Sequence, residues 1–138
     1  MDGTVRITRA VFDELLAYAR REPGLEICGL LAGRNGVITA VLPAENALAS
    51  ATAFTIAPAE LFTLFHRMRA FGFEHAGIYH SHPAGDNAPS PRDIEQAYYP
   101  GVAYIIVSPA VSGTNAVRAF AIQGDAAREL AIEVVGVE

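Results

Sequence analysis

The chain has 138 residues, of which 51% are hydrophobic and 18% are charged, a balance typical of one globular domain rather than of a disordered chain. Acidic residues outnumber basic residues by 15 to 10, so the net charge of −5 gives no reason to expect a nucleic-acid partner. All ten basic residues are arginines, and the lack of lysine excludes lysine-based Schiff-base and P-loop chemistry.

The cysteine content and the hydropathy pattern indicate where the protein works. A single cysteine, Cys28, excludes an internal disulfide and any zinc site built from several thiolates. No apolar run approaches the roughly 18 residues of a membrane span, and the N-terminus lacks the apolar core of a signal peptide. We therefore expect a soluble protein in the reducing cytoplasm, with no membrane partner.

The first third of the chain predicts a helix followed by a hairpin. From Val5 onward, strand-like and helix-like stretches alternate. Thr8 can cap a helix with apolar residues on one face, and Pro23-Gly24 ends that helix. The apolar runs 27–32 and 37–42 flank Asn35-Gly36, a pair typical of a hairpin between antiparallel strands because both residues tolerate positive φ.

The rest of the chain continues the alternation. A surface loop is expected over 44–53, then a helix that begins at Pro58 and ends before Gly72. That helix has a wide apolar face formed by Leu61, Phe62, Leu64, Phe65, Met68 and Phe71. Ser90 opens a short third helix that ends near Pro100-Gly101. Four more strands are predicted at 75–79, 102–107, 116–122 and 130–135. This order predicts a mixed α/β fold in which helices cover a sheet of about six to eight strands.

His80 and His82 are the strongest candidates for a metal site. Side chains alternate along a strand, so these two imidazoles project from one face and can share a cation. Asp93 lies in the first turn of the third helix, from which its carboxylate can turn back toward the strand end. Two imidazoles and one carboxylate leave one position of a tetrahedral Zn²⁺ open to water, which is typical of a catalytic site.

Two further residues could act on a water and on a carbonyl at such a site. Glu26 lies at the head of an apolar strand, where partial burial can raise its pKa and make it a base. Ser90 lies three residues before Asp93, on the same turn, and can donate a hydrogen bond to a developing oxyanion.

Each candidate also has a plainer interpretation. Ser90 and Asp93 match a capping box, lone histidines are often structural, and an isolated Glu26 is most often a strand-edge acid. Cys28 is interpreted as a small buried hydrophobic residue. Asp86 is interpreted as a solvated acid, in a loop from which it could touch a substrate.

Taken together, these residues resemble the motifs of the JAMM, or MPN+, zinc metallopeptidases. The family pattern Glu-x-Cys-Gly-x-Leu-x-Gly is matched by residues 26–33, and the pattern His-x-His-Pro-x6-Ser-x2-Asp is matched by residues 80–93. The resemblance covers nearly the whole chain and implies one catalytic domain over residues 1–138. It implies a three-layer α/β/α, cytidine-deaminase-like fold with a central mixed, curved sheet.

The resemblance also implies roles for the motif residues. It makes His80, His82 and Asp93 the ligands of one Zn²⁺, Glu26 the general acid and base, and Ser90 the group that stabilises the oxyanion. The implied reaction is hydrolysis of an amide by a water that the zinc ion activates.

Within the family, the sequence is similar to compact prokaryotic members that process ubiquitin-like sulfur-carrier proteins at a C-terminal Gly-Gly. This similarity implies such a carrier as the substrate. On physical grounds, the loop over 44–53 could form one wall of the site that binds its glycine tail. The sequence leaves the carrier, the leaving group and the oligomeric state open, a dimer included.

Other functions remain as alternatives. An isopeptidase that acts on other protein or peptide conjugates would use the same residues. A non-catalytic MPN scaffold would lack metal ligands, whereas all of them are present here. A cytidine deaminase is excluded because its ligand cysteines are missing, and a serine hydrolase is excluded because there is no Gly-x-Ser-x-Gly motif.

Overall fold

The computed structural model describes residues 3–136, which form seven β-strands, three α-helices and one short 3-10 helix. In chain order the elements are β1 (Thr4–Thr8), α1 (Arg9–Arg21), β2 (Cys28–Arg34), β3 (Val37–Ala44), α2 (Pro58–Ala70), β4 (Glu74–Ser81), α3 (Pro91–Glu95), β5 (Ala103–Val107), the 3-10 helix (Thr114–Ala116), β6 (Val117–Gln123) and β7 (Ala126–Val135). The predicted mixed α/β fold is confirmed.

The first helix and the hairpin form where the sequence predicts them. The Thr8 hydroxyl accepts a hydrogen bond from the Val11 amide, which satisfies one of the free N–H groups at the start of α1. Strands β2 and β3 pair antiparallel across the two-residue turn Asn35-Gly36, where φ is 55° and 78°. These positive φ values are those that a type I′ turn requires.

The seven strands close into a ring in the order β1-β3-β2-β4-β5-β6-β7, and β7 pairs back onto β1. The sheet is mixed, because β1 runs parallel to both of its neighbours and β4 runs parallel to β5, whereas the other pairs are antiparallel. The predicted curved sheet therefore curls further than expected and closes into a barrel.

Helices cover both faces of this sheet. Residues of all seven strands form one core cluster with the buried side of α1, which consists of Val11, Phe12, Leu15 and Ala19. Residues of β2 through β6 form a second cluster with Leu64 and Met68 of α2. The predicted three-layer arrangement is therefore confirmed. Helix α1 packs on the face whose core cluster includes residues of all seven strands.

The apolar face of α2 is narrower than predicted. Only Leu64 and Met68 of this helix are buried, whereas Phe62 is 74% exposed and Phe71, just after the helix, is 66% exposed. Leu61 and Phe65 are partly buried and pack against the second cluster, so Phe62 and Phe71 are the two predicted residues that lie outside the buried face.

Two predicted boundaries are wrong. Helix α3 ends at Glu95 instead of near Pro100-Gly101. The Tyr104 hydroxyl bonds both the amide and the carbonyl of Tyr99, and these contacts hold the backbone after α3 out of a helical path. Strand β7 begins at Ala126, four residues earlier than predicted.

Strand β4 lies between β2 and β5 in the ring of strands and pairs with both. It pairs antiparallel with β2 and parallel with β5, so its backbone is held on both sides up to Ser81. His80 and Ser81 are the last residues of this strand, and His82 follows directly. No helix among residues 3–136 is long and apolar enough to cross a membrane.

Replacing Gly29 with alanine should strongly destabilise the fold. A Cβ atom at this position would lie 2.4 Å from the Leu42 carbonyl oxygen and 2.6 Å from the Tyr79 hydroxyl oxygen, and both groups belong to neighbouring strands. The strands would have to separate, so we expect Gly29→Ala to lower the free energy of unfolding by about 3 kcal/mol in urea titrations. Gly24→Ala is the control, since its Cβ would meet nothing within 4 Å. A Gly29→Ala variant as stable as Gly24→Ala would contradict the close approach.

Candidate metal centre and active site

The two candidate histidine ligands lie where β4 ends. The backbone pairing of β4 with β5 extends past Ser81, because the His82 amide donates to the Val107 carbonyl at 2.9 Å. The strand alternation therefore continues through His82, and both imidazoles project from one face. Their Nε2 atoms lie 3.1 Å apart.

A capping box brings Asp93 to the same point. The Ser90 hydroxyl accepts from the Asp93 amide at 3.0 Å, and Asp93 Oδ2 accepts from the Ser90 amide at 2.9 Å. The same Oδ2 atom lies 3.2 Å from His80 Nε2 and 3.0 Å from His82 Nε2. The capping interpretation and the metal-ligand interpretation of Asp93 are thus compatible, because the cap fixes the carboxylate in the orientation that faces both imidazoles.

These three atoms have the spacing that a small tetrahedral cation requires. Bonds of about 2.0–2.1 Å to a tetrahedral Zn²⁺ separate its ligands by roughly 3.3–3.4 Å, and the three atoms here are 3.0–3.2 Å apart. His80, His82 and Asp93 are the group of potential ligands that residues 3–136 offer within such a distance. The donor set and its spacing therefore fit a zinc ion.

The protonation states of two of the three ligands, His80 and Asp93, also suit a cation. Burial lowers the pKa of His80, which favours a neutral imidazole. Burial by itself would raise the pKa of Asp93, but hydrogen bonds from His80 and His82 hold that pKa well below its usual value. A neutral imidazole and an ionised carboxylate are the forms that bind metal ions.

The groups around the histidines fix their orientation. His82 Nδ1 lies 2.8 Å from the Asp86 carbonyl oxygen, so this nitrogen is a donor, and the ring is oriented with Nε2 toward the site. The His80 ring stacks on Phe54, with 4.6 Å between the ring centroids. Both imidazoles are therefore held in place by contacts within the chain.

Glu26 lies beside these ligands in a buried position. Only 4% of the residue is exposed, and its Oε1 atom has no hydrogen-bond partner in the described part of the chain. Burial raises the pKa of Glu26 to about 7, and the charge of His82 partly opposes this rise. A buried carboxyl oxygen without a hydrogen-bond partner lowers the stability of the fold. Such a group is typical of a site that binds a ligand or a water.

Ser81, which the sequence analysis did not single out, fixes the backbone around Glu26. Its hydroxyl accepts from the Ile27 amide at 2.9 Å and donates to the Leu25 carbonyl at 3.4 Å, so it holds the residues on either side of Glu26. Ser81 is almost fully buried. The available signal was a small polar residue on the inward face of β4, between the two histidines.

Ser90 offers a free donor next to the ligands. Its hydroxyl oxygen accepts from the Asp93 amide, which leaves the hydroxyl hydrogen able to donate elsewhere. Ser90 and Glu26 both line one open cleft, which we call the Glu26 cleft. This cleft has a volume of about 430 Å³; apart from alanine, glycine and proline, it is lined by Glu26, Thr52, His82, Asp86 and Ser90.

A second concave surface, the apolar cavity, adjoins the ligands on another side. It has a volume of about 130 Å³ and includes His80 and Asp93 in its lining, but not Glu26. Most of the remaining lining is aromatic or aliphatic, and Arg92 contributes a basic side chain. A substrate at the ligand atoms can therefore extend into a polar cleft and into an apolar cavity.

The predicted surface loop is more ordered than expected. Thr52 of this loop lines the Glu26 cleft. Asn46, however, is buried and bonds the Glu26 carbonyl at 3.0 Å and the Ala53 carbonyl at 2.9 Å, while its Oδ1 accepts from the Leu48 amide. This role of Asn46 was not predicted from the sequence, in which an asparagine at the head of a small-residue loop is the available signal.

Cys28 and His75 are not part of the group of potential ligands. Cys28 is fully buried, and burial raises the pKa of its thiol to about 12, in agreement with its interpretation as a small hydrophobic residue. His75 packs edge-on against Phe65 and Tyr99 and bonds the Gly77 carbonyl, a structural arrangement.

Replacing Glu26 with glutamine should make the metal-free protein less sensitive to pH. The pKa of Glu26 is about 7 in the folded state against an ordinary value of 4.5, so the folded wild type binds more protons and loses stability as the pH rises between these values. A glutamine side chain does not titrate, so the variant should be more stable than the wild type at about pH 8, by up to about 3 kcal/mol, and the difference should shrink toward about pH 5. Urea unfolding across this range measures it. Glu22→Gln, at an exposed acid, is the control, and a pH-independent difference for Glu26→Gln would refute the assignment.

Comparison with known proteins agrees with this geometry. The family model described as "Prokaryotic homologs of the JAB domain" matches residues 8–123. The chain is 38% identical over 115 residues to a Thermus thermophilus protein named "Probable TtuB-protein conjugate cleaving protease", covering 83% of this chain and 73% of that protein. It is 31% identical over 134 residues to the "CysO-cysteine peptidase" of Mycobacterium tuberculosis, covering 95% and 92% of the two chains. The solution structure of protein DSY2949 from Desulfitobacterium hafniense superposes with a TM-score of 0.82 at 33% identity, covering 94% and 92%. The chain therefore belongs to the prokaryotic JAB-domain family.

Proposed function

We propose that this chain is a zinc-dependent metallopeptidase that hydrolyses a peptide or isopeptide bond at the C-terminal Gly-Gly of a ubiquitin-like sulfur-carrier protein. The proposal includes one catalytic domain over residues 1–138, acting in the cytoplasm. The observation that carries it is a group of three ligand atoms 3.0–3.2 Å apart beside a buried carboxyl oxygen that has no partner.

His80, His82 and Asp93 are the residues that would hold the metal. When bound there, zinc would supply a Lewis acid that polarises a carbonyl and makes water more acidic. The ordered Nε2 atoms and the capped carboxylate reduce the reorganisation that binding requires. Three protein ligands also match the number that catalytic zinc sites use.

Glu26 and Ser90 would then carry out the proton transfer and the charge stabilisation. Glu26 would accept a proton from the attacking water at Oε1, since that atom is free and its raised pKa suits a base at neutral pH. The oxygen–carbon bond forms, the carbon–nitrogen bond breaks, and the proton moves on to the leaving nitrogen. Ser90 would donate its free hydroxyl hydrogen to the carbonyl oxygen as negative charge develops.

The names of the relatives support the substrate class. Two relatives that align with most of this chain are named for cleaving TtuB conjugates and for acting on CysO-cysteine. Both names describe removal of a group attached to a carrier protein, and the two surfaces that meet at the ligand atoms offer room on both sides of a scissile bond. A purely structural role would require neither the complete ligand set nor the unpartnered Glu26 oxygen.

Glu26→Gln should abolish turnover without loss of the metal. Glutamine has nearly the same shape but cannot accept the proton, so we expect kcat to fall by about three orders of magnitude. The assay incubates the zinc-loaded protein with a carrier protein that bears a short extension after its Gly-Gly and follows the mass of the carrier. A Glu26→Gln variant within tenfold of the wild type would contradict the role of Glu26.

Asp93→Ala should lose the metal, whereas Ser90→Ala should retain it. Both variants break the capping box, but only Asp93→Ala removes one of the three ligand atoms. We expect zinc near one equivalent per chain in wild type and in Ser90→Ala, and at least about a tenfold weaker affinity in Asp93→Ala. Elemental analysis and competition with a chelating dye measure both quantities. Equal zinc content in all three proteins would place the metal elsewhere.

A further inference from the structure

The two candidate histidine ligands are held by different kinds of contact. His82 Nδ1 donates to the Asp86 carbonyl oxygen at 2.8 Å, and this hydrogen bond fixes the orientation of that ring. The His80 ring instead lies on the ring of Phe54, with 4.6 Å between the centroids and 24° between the planes. One ligand is therefore oriented by a hydrogen bond and the other by a flat aromatic surface.

Strand pairing fixes the backbone of His80 but not the rotation of its ring. His80 lies opposite Cys28 of β2 and Ile106 of β5, so its backbone is held on both sides. The torsion that turns an imidazole relative to its Cβ atom has broad minima, and the groups packed around the ring must restrict it. The nearly parallel Phe54 ring supplies such a restriction, because turning the imidazole would break the stacked contact.

The segment that carries Phe54 is itself fixed by Asn46. The buried Asn46 side chain donates to the Ala53 carbonyl at 2.9 Å, and its Oδ1 accepts from the Thr55 amide at 3.3 Å. The residues on both sides of Phe54 are thus bonded to one buried side chain. The Thr55 carbonyl also accepts from the Ala47 amide at 2.8 Å. Because its backbone is held in this way, Phe54 presents a fixed surface to the His80 ring.

We propose that Phe54 is a positioning residue of the metal centre: it holds the His80 imidazole in the orientation in which Nε2 faces His82 and Asp93. This inference rests on the proposed function, because it requires that a zinc ion bind these three residues. A ligand that is already oriented loses less side-chain freedom when it binds, so the stacked contact raises the affinity for the ion and slows its release. An aromatic residue that only filled the core would do neither.

Phe65 provides a matched control for Phe54. Both are partly buried phenylalanines that pack against the second core cluster. The Phe65 ring contacts His75 and Tyr99, at 4.9 Å and 5.9 Å between centroids, and neither residue belongs to the ligand group. Replacement by leucine therefore removes one ring from the same cluster in both variants, but only Phe54→Leu removes a contact with a candidate ligand. Phe54→Tyr keeps the ring and is the conservative variant.

The test measures metal binding rather than turnover, because Phe54 also lines the apolar cavity and its replacement would change the wall of that cavity. Competition with a chelating dye should give a zinc Kd about three- to tenfold higher in Phe54→Leu than in wild type, with faster release to excess chelator. Phe65→Leu and Phe54→Tyr should stay within about twofold of wild type. Cobalt(II) in place of zinc gives a second readout: its visible absorption reports the ligand geometry and should change in Phe54→Leu but not in the two other variants.

A measurement on the metal-free wild type keeps the inference testable even if Phe54→Leu does not fold. NMR spectra of this protein should show nuclear Overhauser cross-peaks between the ring protons of Phe54 and His80, as the stacked geometry requires. Absence of these cross-peaks, equal zinc affinity in wild type and Phe54→Leu, or an equal loss of affinity in Phe65→Leu would overturn the role of Phe54 and leave the proposed function intact. A wild type that binds no zinc would overturn the proposed function, and this inference with it.

Discussion

The contact between Asp93 Oδ2 and the two imidazole Nε2 atoms is the interaction on which the candidate site depends. It joins the end of β4 to the first turn of α3, two segments that share no strand pairing. Both segments are fixed independently, β4 by strands on either side and Asp93 by its capping box. Because neither imidazole nor carboxylate has to be reoriented, the free energy of binding a cation is not spent on ordering its ligands.

Burial gives the neighbouring carboxyl group its chemical character. Glu26 lies at the entrance to β2, and Ser81 and Asn46 hold the adjoining backbone through hydrogen bonds with the Leu25 carbonyl, the Ile27 amide and the Glu26 carbonyl. Since the backbone is satisfied and the Oε1 atom is not, the cost of desolvation falls on the side chain and raises its pKa toward neutrality.

The two surfaces around the ligands divide the site by chemistry. The apolar cavity lies against His80 and Asp93, whereas the Glu26 cleft carries the carboxyl groups and the Ser90 hydroxyl. Glu26 lines the cleft and not the apolar cavity, so a proton that Glu26 exchanged with a substrate would move on the cleft side. Arg92 and Asp86 lie on different sides of the ligands, and the electrostatic environment of the two halves of a scissile bond therefore differs.

The sequence by itself determined the elements and the motif residues, because their signals are local. The spacing of His80 and His82 follows from the alternation of a strand, the Asn35-Gly36 turn follows from backbone sterics, and the Ser90 cap follows from the unsatisfied amides of a helix start. Only the tertiary structure decided how far the sheet curls, where α3 stops and which phenylalanines of α2 are exposed, since these depend on how separate elements pack. The contact of Tyr104 with Tyr99 accounts for the end of α3. The exposure of Phe62 shows that α2 does not bury its whole apolar face. The hydrogen bonds by which Ser81 and Asn46 hold the backbone around Glu26 also depend on how separate elements pack. The hydrogen bond from the Ile27 amide to the Ser81 hydroxyl joins residues 54 positions apart and exists only once the strands have paired, so the sequence could show a small polar residue between two histidines but not its partner.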